Sequence, residues 1–137
     1  MVFNTTGSDN TGLGCDALDS NTTGSNNTAV GSDALQANTT GTQNVAVGTF
    51  ALDANTTANE NTAVGYGSLG SNTTGTQNVA VGASALDANT TGSYNVSLGR
   101  NSLGANTEGS SNIAIGENSL MTNTTVSYTH LTLPTKA

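Results

Sequence analysis

Residues 38–54 read NTTGTQNVAVGTFALDA, and this stretch decides the fold because the chain repeats it without gaps on both sides. Starting at Asn4, the sequence divides into seventeen-residue units beginning at Asn4, Asn21, Asn38, Asn55, Asn72, Asn89 and Asn106, with another opening at Asn123. Repeats of this length point to an array in which each unit covers its neighbour's apolar face. A disordered polar chain has no reason to keep apolar residues in register over more than a hundred positions.

Read down the columns, the unit separates into roles. The first and seventh columns are Asn, the eleventh is Gly and the fifteenth is Leu in each of the seven units, whereas the twelfth runs Cys15, Ser32, Thr49, Tyr66, Ala83, Arg100, Glu117. Constant columns are expected to face inward or form turns, and variable ones to face solvent. Asn-Val-Ala-Val-Gly alternates with period two and is rich in β-branched residues, so it reads as a short strand ended by glycine. The following Ala-Leu-x-Ala reads as a second, shorter strand, and Asn-Thr-Thr-Gly has the residues of a turn. Seventeen residues are too few for a helix pair, and no unit has helical apolar spacing. The expected fold is therefore all-β: a parallel β-solenoid of seven coils, with equivalent residues stacked about 4.8 Å apart.

Two large apolar side chains per coil are expected inside: the tenth-column Val30, Val47, Val64, Val81 and Leu98, and the fifteenth-column Leu35, Leu52, Leu69, Leu86 and Leu103. Seventh-column Asn44, Asn61 and Asn78 are expected to form a buried amide ladder, which satisfies its polar groups only if unbroken. Two such side chains do not offset the backbone entropy of seventeen residues. The shortfall points to a homo-oligomer, a trimer, burying the small column of Ala29, Ala46, Ala63, Ala80 and Ala114 between chains. In the sixteenth column Asp19, Asp53 and Asp87 alternate with Gln36, Gly70 and Gly104, which keeps like charges about 10 Å apart.

Composition narrows function. The chain has 137 residues, 34% apolar and 8% charged, with a net charge of −7 and only Arg100 and Lys136 basic. No basic surface exists for nucleic acid or anionic lipid, and no apolar run reaches the ~20 residues of a membrane span. Before residue 126 there is no His and a single cysteine, Cys15, so neither Ser-His-Asp nor Cys-His chemistry can be assembled. Carboxylates such as Asp16 with Asp19, or Asp9 near Glu60 or Asp33, fall on variable columns and read as solvated charge. No column repeats an aspartate in the way calcium-binding repeats require, and no lysine follows the glycines as in a phosphate loop. The reading is a non-catalytic protein without cofactor or metal.

Asn-Thr-Thr also forms glycosylation sequons, at Asn4, Asn21, Asn38, Asn55, Asn72, Asn89 and Asn123, but a turn-and-ladder role already accounts for them. Recurrent Thr-Gly-Ser/Thr, as at Thr23 to Ser25 and Thr40 to Thr42, would stack into two hydroxyl rows, so an ice-binding solenoid is the alternative function. Asn59 and Glu108 interrupt those rows.

The segments NVAVGTFAL, NVAVGASAL and NIAIGENSL resemble the head repeats of trimeric autotransporter adhesins. The whole NTTGxxNxAVGxxAL unit is also similar to repeats of bacterial surface proteins and phage tail fibres. The resemblance covers residues 4–122 and implies a homotrimeric β-roll acting as a stalk or adhesive head, extracellular, at a cell surface or on a virion tail. It further implies a glycan or protein receptor, for which exposed Tyr66, Tyr94 and Arg100 are the candidate contacts. Residues 1–3 read as a partial repeat and 4–125 as the repeat solenoid. Residues 126–135, VSYTHLTLPT, resemble a translated sequencing-library adapter of the kind found at the ends of genes assembled from environmental DNA. That resemblance implies that residues 126–137 are a non-native tail, that the natural protein continues past residue 125, and that His130, Pro134 and Lys136 have no evolved role.

Overall fold

A computed structural model describes residues 3–132. Eight three-residue strands are present and no helix among the described residues: β1 (Thr11–Leu13), β2 (Thr28–Val30), β3 (Val45–Val47), β4 (Thr62–Val64), β5 (Val79–Val81), β6 (Val96–Leu98), β7 (Ile113–Ile115) and β8 (His130–Thr132). They form one parallel sheet in sequence order. Each residue pairs with its equivalent seventeen positions on, as Ala29 with Ala46 and Val47 with Val64. The chain is a parallel β-solenoid whose coil is the sequence repeat.

Strands this short suffice because coil-to-coil bonding continues around the perimeter. Thr22 N donates to Thr39 O at 2.9 Å, Leu35 N to Ala51 O at 3.0 Å, and Gly48 N to Val30 O at 2.8 Å. The second strand expected at Ala-Leu-x-Ala does not form. That segment turns tightly instead, with Ala51 N donating to Gly48 O at 3.2 Å and Asn55 N to Leu52 O at 3.1 Å. It nevertheless bonds the next coil through Leu52 N to Ser68 O at 3.1 Å.

The turning requires backbone that side chains rarely adopt. Each fifteenth-column Leu, from Leu18 to Leu120, has φ between 49° and 57°, in the left-handed region, which costs an L-residue roughly 1–2 kcal/mol. Leucine is retained there because its side chain fills the coil: Leu18, Leu35, Leu52, Leu69, Leu86 and Leu103 are fully buried in a continuous row. Only glycine suits the eleventh column. Gly65 has φ 134°, and a Cβ on it would stand 2.6 Å from the carbonyl carbon of Gly82.

The remaining core is not the one expected. Ala29, Ala46, Ala63, Ala80 and Ala114 are fully buried, facing the leucine row from inside the coil rather than lying between chains. The tenth-column residues, expected inside, face out: Val47 and Val64 are 36% exposed and Val81 39%, while Val30 and Leu98 are half-buried. Alternation with period two sends neighbours to opposite faces, so placing alanine inside necessarily puts valine outside. Coil six shows how tight the interior is. Ser97 and Ser102 replace two core alanines together, and Ser97 Oγ donates to Ser102 O at 2.7 Å while Ser102 Oγ donates to Gly99 O at 2.8 Å.

Buried amides complete the interior. Seventh-column Asn44, Asn61 and Asn78 are fully buried and form the expected ladder. Asn61 N donates to Asn44 Oδ1 at 3.0 Å, Asn61 Nδ2 to Gly75 O at 2.9 Å, and Asn78 N to Asn61 Oδ1 at 3.0 Å. A second ladder runs through the first column, with Asn38 Nδ2 donating to Asn21 Oδ1 at 2.8 Å and Asn55 Nδ2 to Asn38 Oδ1 at 3.0 Å. No buried side-chain N or O atom among the described residues lacks a partner, so these ladders cost no orphaned polar groups.

The solenoid does not stop at residue 125. β8 pairs with β7 in the common register, and Thr129 replaces the seventh-column Asn, its N donating to Asn112 Oδ1 at 3.0 Å. Val126, in the fourth column where most coils have glycine, is 55% exposed. A Cβ on Gly41 would stand 2.5 Å from Ala58 O, although coil four itself has a buried alanine, Ala58, in this column. Residues 1 and 2, and Pro134 and Lys136, lie outside the described residues.

Candidate functional site

Three surfaces follow from this coil. The first is the outer face of the sheet, where eighth- and tenth-column side chains project: Val45 and Val47, Thr62 and Val64, Val79 and Val81, Val96 and Leu98, Ile113 and Ile115. From β1 to β7 this face carries no charged residue. Ile113 and Ile115 are 39% and 41% exposed.

The second surface is the Asn-Thr-Thr-Gly edge. Third-column Thr23, Thr40, Thr57, Thr74 and Thr91 are exposed in a row. The neighbouring fifth-column groups are drawn into the backbone: Ser93 Oγ accepts from Thr76 N at 3.0 Å, and Asn59 Oδ1 from Thr42 N at 2.7 Å. Second-column hydroxyls are likewise engaged, as Thr39 Oγ1 donates to Thr56 O at 3.0 Å. Only one open hydroxyl row remains of the two expected. The sequon asparagines at 21, 38, 55, 72 and 89 are fully buried, so in the folded chain their amides serve the ladder rather than a glycan.

The third surface was not anticipated. A cleft of about 500 Å³ spans coils three to five and is lined by Phe50, Asp53, Tyr66, Gly67, Gly70 and Asp87, among others. The rings of Phe50 and Tyr66 meet edge to face with centroids 5.9 Å apart. The cleft exists because coil four has glycine in both the thirteenth and sixteenth columns, Gly67 and Gly70, where the coils on either side have Phe50 with Asp53 and Ser84 with Asp87. No other unit has both glycines, and that coincidence was the sequence signal available. Asp53 and Asp87 are half-buried, and loss of water around the carboxylates raises both above their usual pKa, only partly offset by hydrogen bonds from Ala54 and Ala88 N–H respectively.

Of the expected receptor contacts, Tyr66 is 60% exposed at the rim of this cleft, Tyr94 stands exposed elsewhere, and Arg100 is taken up in an exposed pair with Glu117, its Nε donating to Glu117 Oε1 at 3.0 Å. Cys15 is exposed, and its hydrogen bond with the Asp16 carboxylate, followed by that group's charge, pushes its thiol pKa up. Among the described residues no cluster of three or more His, Cys, Asp or Glu side chains suits a metal, and no helix is long and apolar enough to cross a membrane. No protein-family model matches the chain, and no curated protein or solved structure does.

Proposed function

We propose that this chain is a non-catalytic structural or adhesive segment of an extracellular fibre, at a cell surface or on a virion tail, and that copies associate side by side into a homotrimer. One observation carries the reading: the uncharged valine, leucine and isoleucine face extends over successive coils, for roughly 30 Å at the spacing of parallel strands. Contiguous exposed apolar surface on a rigid scaffold marks an interaction surface. A second copy matches it best, because only a surface with the same coil spacing keeps the side chains in step along that length. The contact between copies then lies on the tenth-column side chains, with the alanines left inside each chain. Solvent-facing columns remain free for a glycan or protein receptor.

Molar mass measured by light scattering tests this. The unaltered chain should give three times the chain mass, and Val81→Asp, on the outer face, should give the monomer with an unchanged circular dichroism spectrum. A monomer for the unaltered chain at high micromolar concentration would remove the trimer. The open threonine row of Thr23 to Thr91 supports ice binding as the second reading, and thermal hysteresis from a monomeric sample would put it first.

A further inference from the structure

The outer sheet face is aliphatic except in one column. From coil one to coil seven the tenth column holds only leucine, valine and isoleucine, whereas the eighth reads Thr-Thr-Val-Thr-Val-Val-Ile. Thr28 and Thr62 therefore stand half-buried on β2 and β4, and Thr62 is paired with Val45 on one side and Val79 on the other. Among the described residues neither hydroxyl has a hydrogen-bond partner. Second-column threonines differ, as Thr22 Oγ1 donates to Thr39 O at 2.9 Å and Thr73 Oγ1 to Thr90 O at 3.1 Å. Water satisfies a hydroxyl on an open face. Covering that face with aliphatic side chains removes the water and leaves the hydroxyl unpaired at a cost, unless the covering surface brings a partner to the same height.

We propose that Thr28 and Thr62 set the direction and the axial register in which copies of this chain meet across the sheet face. This rests on side-by-side association through that face, and it assigns the residues that align the copies. Parallel copies in register bring Thr28 to Thr28 and Thr62 to Thr62, each set in one layer, where one hydroxyl donates and its neighbour accepts. A slip of one coil, about 4.8 Å, sets Thr62 against Val45 or Val79 and leaves its hydroxyl unpaired. Antiparallel copies with full overlap meet about coil four, which keeps Thr62 with Thr62 but sets Thr28 against Val96. The tenth column does not discriminate, because an aliphatic side chain meets another at every one of these offsets. A polar residue within an apolar seam specifies register in coiled coils for the same reason, and wrong arrangements are disfavoured by the groups they leave unpaired. The occupant is a second copy, because only a chain with the same coil spacing presents hydroxyls at both heights, two coils or about 10 Å apart.

Disulfide mapping of the whole chain reads the register, since a disulfide needs Cα atoms about 4.4–6.8 Å apart. In a Cys15→Ser background, chains carrying Val47→Cys are refolded from urea together with isotope-labelled chains carrying Val64→Cys, so that mass identifies each cross-linked pair. Like pairs, 47 with 47 and 64 with 64, should exceed mixed pairs at least fivefold. Thr28→Val combined with Thr62→Val removes only the two hydroxyls from the face. It should raise the share of mixed pairs at least threefold while the circular dichroism spectrum and the trimer mass stay unchanged. The proposal is overturned if the doubly substituted trimer keeps the original ratio, if mixed pairs equal like pairs in the chain with both threonines, or if neither position cross-links in a trimer. Cross-linking at position 64 without position 47 is the antiparallel pattern and overturns it too. A monomer by light scattering would remove the trimer and this inference with it, whereas a trimer with an unaltered ratio removes this inference alone.

Discussion

Val47 and Leu52 lie five residues apart in one coil; both are apolar, and their columns stay large and aliphatic from coil to coil, yet they do opposite things. Leu52 is fully buried at φ 53°, whereas Val47 is 36% exposed on regular strand backbone. Constancy down a column of a stacked repeat therefore reports that like meets like along the axis, and does not report burial. A valine on the outer face has the same reason to recur as a leucine in the core, because each packs against its counterpart one coil above and below.

Truncating each residue is the strongest test of this contrast. Leu52→Ala should cost roughly 2–5 kcal/mol, the usual range for emptying a buried leucine site, read as a lowered urea midpoint in a Val81→Asp background whose monomeric mass is checked by light scattering. In the same background Val47→Ala should cost less than about 1 kcal/mol. Leu52→Gly adds a sign test, because glycine tolerates positive φ and alanine does not. It should be no worse than Leu52→Ala, the reverse of the order at an ordinary buried site. Equal losses at positions 47 and 52 would show that both side chains are buried and break the comparison.

The asparagine columns sharpen it from the polar side. Asn61→Ala leaves Asn78 N–H without its acceptor at 3.0 Å inside the buried ladder, while the Gly75 carbonyl keeps the bond from Asn72 Nδ2 at 2.9 Å. At roughly 1–3 kcal/mol for one unsatisfied buried group, the loss should be about 2 kcal/mol in the same denaturation measurement. Asn59→Ala, two residues away and half-buried, should cost about 1 kcal/mol for its bond to Thr42 N. A smaller loss at position 61 than at 59 would mean that the ladder is held by backbone stacking alone.

Much of this was legible because the chemistry leaves little choice. Asparagine in unbroken columns has few roles but a ladder, and Leu35, Leu52 and Leu69 recurring at seventeen residues can share a row only in stacked coils; both readings agree with the structure. The facing of β3 was not legible. Val-Ala-Val alternates equally well in either orientation, and side-chain size alone favours the larger residue inside. What decides it is the width of the coil, set by Leu52 projecting from a left-handed turn, which leaves room opposite for Ala46 and not for valine. That turn was itself hidden, since leucine is among the residues least expected at positive φ, and it is why Ala-Leu-x-Ala resembled a strand. At the other end, Val126 and Thr129 depart from the repeat's glycine and asparagine, yet β8 keeps the common register with β7. Thr129 supplies the backbone donor that the ladder needs there, and threonine can do so as well as asparagine. The cleft escaped notice because it is defined by what coil four lacks, and column-by-column reading does not register two absences falling in the same coil.

The smallest expected effect concerns how dry the wall beside the leucine row is. Asp53 directly follows Leu52, and burial holds its carboxyl above the usual pKa, with the charge of Asp33 adding to the shift and hydrogen bonds from backbone N–H opposing it. Asp87 is raised by burial in the same way. A raised carboxyl pKa means that the folded chain retains protons which the unfolded chain has already released. The stability contributed by these groups is therefore greatest below the unfolded value of 3.8, declines as pH rises through the folded pKa, and stays at its lower level at pH 7. Asp53→Asn removes the ionisation and should raise the urea midpoint slightly at pH 7, with the gain absent at pH 3. A gain of the same size at both pH values would trace to packing rather than charge. A loss at pH 7 would show that the Asp53 carboxylate is already engaged as an acceptor strongly enough to outweigh its burial, so that the wall beside Leu52 is wetter than the fully buried side chain within it implies.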